Sequence, residues 1–119
     1  MLPVLKYNGV VIAKNIEFAR TLLAQSLGLM FRKNMPHSYS MIFTLNKPSR
    51  VNVHMLFVFF RIDVIFLNEK KEIMGLSQLK PWVGYKGMEN IKYILEMKAG
   101  TIDMFDLKIG GQMEFNSRG

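Results

Sequence analysis

Val51–Leu67 reads VNVHMLFVFFRIDVIFL, an apolar run interrupted near its end by Arg61 and Asp63. Its charges, and a length short of the roughly 18 to 20 uninterrupted apolar residues of a membrane helix, exclude a helical span. Its Val, Ile and Phe content favours the pleated, buried surface of a sheet over a surface helix. The run is longer than a usual strand of about five or six residues. It therefore predicts two strands, about Val53–Val58 and Ile62–Leu67, joined by a bend near Phe59–Arg61. Two ionisable residues are thus written into the centre of a β-structure.

Outward from that run, Asn8-Gly9 predicts a tight hairpin between Val4–Tyr7 and Val10–Ala13, since a type I′ turn needs positive φ at both central residues. Asn15 can cap a helix over about 16–27, with Ile16, Ala19, Leu22, Leu23 and Leu27 on one face and Gly28 as its stop. Met41–Leu45 reads as a strand, and Asn46–Arg50 as a polar loop. Asn68–Lys71 is a charged turn before a return strand over Glu72–Leu76. Residues 77–91, with Pro81, Gly84 and Gly87, look irregular, with Trp82 and Tyr85 expected to pin them to the core. Lys92–Met97 alternates, with Tyr93, Leu95 and Met97 facing one way. Thr101 can cap a second, short helix over about 102–107, and Gly110-Gly111 turns into a last strand, Gln112–Phe115. The expectation is a mainly β (α+β) chain: a compact single-domain barrel or sandwich over 1–119, with about seven short strands, one main helix and one short one.

At 119 residues, 50% hydrophobic and 21% charged, the composition is that of an ordinary globular domain. A chain of this size buries about 65% of its unfolded surface without needing a staple. The absence of cysteine excludes disulfides, thiolate metal sites and cysteine nucleophiles. With no secretory signal in the N-terminal stretch, the expectation is a soluble cytoplasmic protein with no membrane partner. The net charge is +7, and residues 1–62 hold eight basic residues against one acid, Glu17, so the whole excess lies there.

An ordered set of segments carries a family resemblance. Gly28-Leu29-Met30-Phe31-Arg32 precedes a polar loop, and the run from His54 to Leu67 follows. Then come Leu79-Lys80-Pro81-Trp82, Tyr93-Ile94-Leu95-Glu96, Ala99-Gly100-Thr101 and Ile109-Gly110. In that order, over about residues 10–115, the chain resembles domain-of-unknown-function family 192, also called uncharacterised protein family 0127, and its archaeal members in particular. The resemblance implies a compact, mainly β barrel or sandwich with one main helix, and no established activity. The chain departs from the family pattern at Arg61, where a proline is usual, and at Gly111, where an aspartate is usual.

Asp63 and Glu96 both fall in apolar strands, where a carboxylate needs a partner. Arg32, Arg61 and His54 are the obvious ones, with an Arg32 pair to Asp63 or Glu96 the leading expectation. Two such carboxylates can grip a cation or do acid/base work; the plain alternative is a satisfied polar network. Trp82, the single tryptophan, is either a stacking platform at a rim or a loop anchor. His54, His37 and the nearby methionines do not converge as a metal set, so neither metal nor cofactor is implied. No GxSxG, P-loop or GxGxxG is present, and no catalytic residue is assigned.

Three readings follow. The first is a non-catalytic domain binding a small molecule or protein partner in a groove near Arg32, His54, Asp63, Trp82 and Glu96. The second is single-stranded nucleic-acid binding through Arg32, Lys33, Lys47 and Arg50. The third is a hydrolase using Asp63 and Glu96, which for glycosidic chemistry requires carboxyl groups about 5 to 9 Å apart that open onto solvent.

Overall fold

A computed structural model describes residues 4–19, 36–55 and 58–116. In these residues the strands are β1 (Leu5–Tyr7), β2 (Val10–Ala13), β3 (Asn15–Ala19), β4 (Tyr39–His54), β5 (Ile62–Leu67), β6 (Ile73–Leu79), β7 (Tyr85–Lys98) and β8 (Met113–Glu114). One short helix, α1 (Thr101–Met104), lies between β7 and β8. They form a three-stranded sheet, β2-β1-β8, and a five-stranded sheet, β3-β4-β7-β5-β6. The arrangement is a sandwich and not a closed barrel. No helix among the described residues is long and apolar enough to cross a membrane.

The two faces of the larger sheet build two cores. Ile42, Ile65, Leu67, Tyr93, Leu95 and Met97 meet Leu5, Ile12 and Met113 of the smaller sheet, and Phe115 just beyond β8. On the opposite face, Met41, Phe43, Val64, Phe66 and Ile94 pack with Val51, Val53, Met55 and Val58. β4 thus supplies the second core from both its halves, which requires it to bend. Between Thr44↔Tyr93 and Ser49↔Ile91, β4 spends four residues where β7 spends one. That bulge bends the ribbon, and Pro48, which cannot donate to a ladder, sits inside it.

Several expectations are corrected here. β5 occupies Ile62–Leu67 as expected, but Val53 and His54 end the long β4, and Met55 and Val58, the other described residues of the expected strand over Val53–Val58, lie outside any strand. Among the described residues the break holds Met55 and residues 58–61. Asn46–Arg50 is part of β4, and residues 85–91 are part of β7. Residues 15–19, expected to hold the cap and first turn of the main helix, form β3, parallel to β4. The two-residue alternation of Ile16 and Phe18 toward the inter-sheet core prevails there over the helical spacing. The rest of that helix, residues 20–27, lies outside the described residues. The second helix stops at Met104, and Gly100, not Thr101, is its cap. The Asn8-Gly9 turn is present, with φ of 47° and 86°.

Candidate functional site

The two carboxyl groups of the central strands go to opposite faces. Asp63 lies opposite Met97 and Glu96 opposite Val64, and directly opposed residues share a face. Asp63 therefore points to the inter-sheet side and Glu96 to the other core. They cannot flank one scissile bond, which removes the hydrolase reading built on them.

Asp63 is 1% exposed and satisfied. Its Oδ1 accepts from Gln78 Nε2 at 3.1 Å, and its Oδ2 accepts the backbone N–H groups of Gly100 (3.1 Å) and Ile102 (2.8 Å). It ties β5 to the start of α1 through neutral donors, not through Arg61 or His54. An open cleft of about 330 Å³ runs beside it, lined by Leu76, Ser77, Gln78, Ile102 and Asp103. Both Asp63 oxygens facing that region are already engaged. Arg32 and Lys33 lie outside the described residues.

Glu96 is 6% exposed, beside Met41 and Val64. No donor or cation among the described residues reaches its carboxyl, and burial alone pushes it up to about 7. Its neighbours on that face include Tyr39, whose hydroxyl donates to Glu17 Oε1 at 2.6 Å. No set of three or more metal-ligating side chains is found among the described residues.

His54 and Trp82 come together elsewhere, at the free end of the β4–β7 ribbon. His54 is the last residue of β4 and pairs with Tyr85, the first of β7. Met55 and Val58 on one side and residues 80–84 on the other are laced together at this same end. The N–H of Met55 donates to Gly84 O, and that of Trp82 lies 3.1 Å from Met55 O and 3.3 Å from Val58 O. Trp82 is held at φ 65°, a left-handed conformation uncommon for a bulky residue. Trp82 is 43% exposed, and its ring sits 5.3 Å from that of Phe59, a residue 47% exposed.

The outer face of the ribbon starts at this same end, where Tyr85 pairs with His54. Tyr85 is exposed, and its hydroxyl donates to Asn52 Oδ1 at 2.7 Å. A Cβ on Gly87 would stand 2.5 Å from an Arg50 guanidinium nitrogen and 2.7 Å from Asn52 Oδ1. The absence of a side chain at Gly87 therefore lets Arg50 and Asn52 lie flat across the ribbon. Arg50 reaches Glu89 at only 4.0 Å, with both side chains largely in water. Lys47 is exposed in the bulged part of β4.

Of the residues singled out from the sequence, the tip brings His54 and Trp82 together, Arg50 lies further along the ribbon beside Gly87, and Asp63 and Glu96 lie elsewhere in the sheet. Phe59 and Asn52 were not anticipated, and Tyr85, expected with Trp82 to anchor in the core, is instead exposed, as is Trp82. Phe59 is hidden in an apolar run whose inward and outward residues cannot be told apart once the strand has ended. The signal for Tyr85 was its place between Gly84 and Gly87, two residues that let a backbone or a neighbour approach closely.

Residues 4–115 match the model of the DUF192 family, described as an uncharacterized ACR. A UPF0127 protein of Pyrococcus furiosus is 42% identical over 110 residues, covering 91% of this chain and 92% of the relative. One of Thermococcus sibiricus is 33% identical over 112 residues, covering 92% of this chain and 71% of the relative. A crystal structure from Novosphingobium aromaticivorans, of a protein of unknown function, superposes with a TM-score of 0.82 at 23% identity, covering 94% and 82% of the two chains. Another, from Sinorhizobium meliloti and provisionally called a transcription regulator, gives 0.82 at 22% identity, covering 95% and 91%. At those identities the likeness concerns the fold. The resemblance read from the ordered segments and the sandwich found here agree with these matches: the chain belongs to the DUF192 family, also called UPF0127, and has archaeal relatives in Pyrococcus and Thermococcus.

Proposed function

We propose that this chain is a binding domain without catalysis, and that its ligand or partner docks at the tip of the β4–β7 ribbon. The observation that carries this reading is Trp82. A left-handed conformation costs a non-glycine residue about 1–2 kcal/mol, and such strain persists where surrounding contacts hold it in place. Here the backbone lacing to Met55 and Val58 holds it, and the result is a large ring displayed at the surface beside Phe59. Aromatic rings on rigid loops supply contact area at little entropic cost. Asp63, with both oxygens satisfied, acts as a structural staple in this reading.

The test is a thermal-shift screen of a metabolite panel on the wild type and on Trp82→Asn. Asparagine tolerates the left-handed conformation, so the loop is retained while the ring is lost. Compounds that raise the melting temperature of the wild type are expected to lose that effect in the variant. Equal shifts in both proteins, or no shift with any compound, contradict the proposal.

A further inference from the structure

We infer that the ribbon tip takes single-stranded nucleic acid, its bases stacking on the exposed rings and its phosphates held by the surrounding cations; this inference rests on the binding role proposed above. The rings are those of Phe59, Trp82 and Tyr85, residues exposed to 47%, 43% and 60%. Tyr85 is held in place by its hydrogen bond to Asn52. The cations are interleaved with them: Arg61 follows Phe59 by two residues, Lys80 precedes Trp82 by two, and Arg50 lies across the face that carries Tyr85. All three are exposed, as is Lys86 next to Tyr85.

Glu89 is the one acid of residues 50–61 and 80–89. Its contact with Arg50, at 4.0 Å and with both side chains in solvent, is of the kind that contributes little. The guanidinium therefore remains available to a phosphate, or to the face of a base. Flat rings alternating with cations form the pattern that holds single strands without reading sequence. A sugar would instead call for acceptors beside the rings to meet its hydroxyl groups, and the tip offers mainly cations. A duplex hides its base faces in the stack, so the rings discriminate in favour of an unpaired strand.

Trp82, the chain's single tryptophan, reports directly. The full chain is titrated with a thymidine oligomer of about 15 nucleotides, near the upper end of single-strand site sizes. A duplex of the same length and inorganic polyphosphate are titrated in parallel. The oligomer is expected to quench the tryptophan emission and to bind more tightly than the other two. Its affinity is expected to fall about 50-fold between roughly 50 and 200 mM salt if four phosphates are neutralised. By anisotropy of a labelled oligomer, Tyr85→Ala and Trp82→Asn should each weaken binding by at least about fivefold, the lower bound for one stacked base.

Polyphosphate or duplex binding as tightly as the oligomer overturns the inference, as does the absence of quenching at low salt. Two variants in one surface keep the test independent of a folding defect in either. If the oligomer fails while the thermal-shift screen still yields a Trp82-dependent ligand, only the nucleic-acid assignment falls. If both fail, the binding role falls with it.

Discussion

Glu96 shows what a single residue can and cannot reveal from its letter alone. Its place in an apolar strand flagged a buried carboxyl, and the structure bears out the burial. Its face was not legible, because parity along a strand gives a direction only once the register with the neighbours is known. The pairings Glu96↔Met41 and Glu96↔Val64 supply it. A titration follows. Burial holds the folded-state carboxyl near 7, against 4.5 for an ordinary one, so between these values the folded state binds a proton that the unfolded state has lost. The contribution of Glu96 therefore favours folding below about pH 4.5 and is progressively lost as the pH rises through 7. The difference amounts to about 3 kcal/mol. Urea unfolding of the wild type and Glu96→Gln at pH 5 and pH 8 should show the variant gaining on the wild type at the higher pH. A constant difference between the two proteins would remove the claim.

At the scale of elements, β5 was legible to the residue because its apolar content is continuous and both its ends are marked, by Arg61 and by Asn68. β4 was not. Asn46-Lys47-Pro48-Ser49-Arg50 has the composition of a loop, yet it is the bulged bend of one long strand. Local composition there reports the unpaired excursion and not the pairing on either side of it. The same bend carries Arg50 and Asn52 onto the outer face opposite Gly87. Gly87→Ala tests that packing. The added methyl meets only the far ends of two flexible side chains, so stability should change by less than about 1 kcal/mol. Arg50 must move, and tip binding of any ligand found in the screen should weaken. Unchanged affinity together with unchanged stability would show that the position of Arg50 is immaterial. Gly111 follows similar logic: the Cβ of a side chain there would clash with the Tyr7 ring. Tyr7 occupies the space of that side chain, and its hydroxyl accepts the N–H of Lys108.

For the whole molecule, the β class and a sandwich of two sheets follow from many short alternating segments. The site does not, because it is assembled from the end of β4, the start of β7 and two loops. Their meeting is set by a ribbon whose bend was itself hidden. Sequence neighbours in one apolar run therefore part company: His54 and Phe59 go to the tip, and Asp63 goes to the staple at α1. The central claim is that binding belongs to the tip and not to the carboxyl groups of the sheet. It is tested most directly by a backbone and indole chemical-shift map of the folded chain across a metabolite and oligonucleotide panel. The account predicts perturbations centred on His54, Phe59, Trp82 and Tyr85. Shifts centred instead on Asp63, Gln78 and Ile102 around the cleft beside α1, or around Glu96, would contradict it.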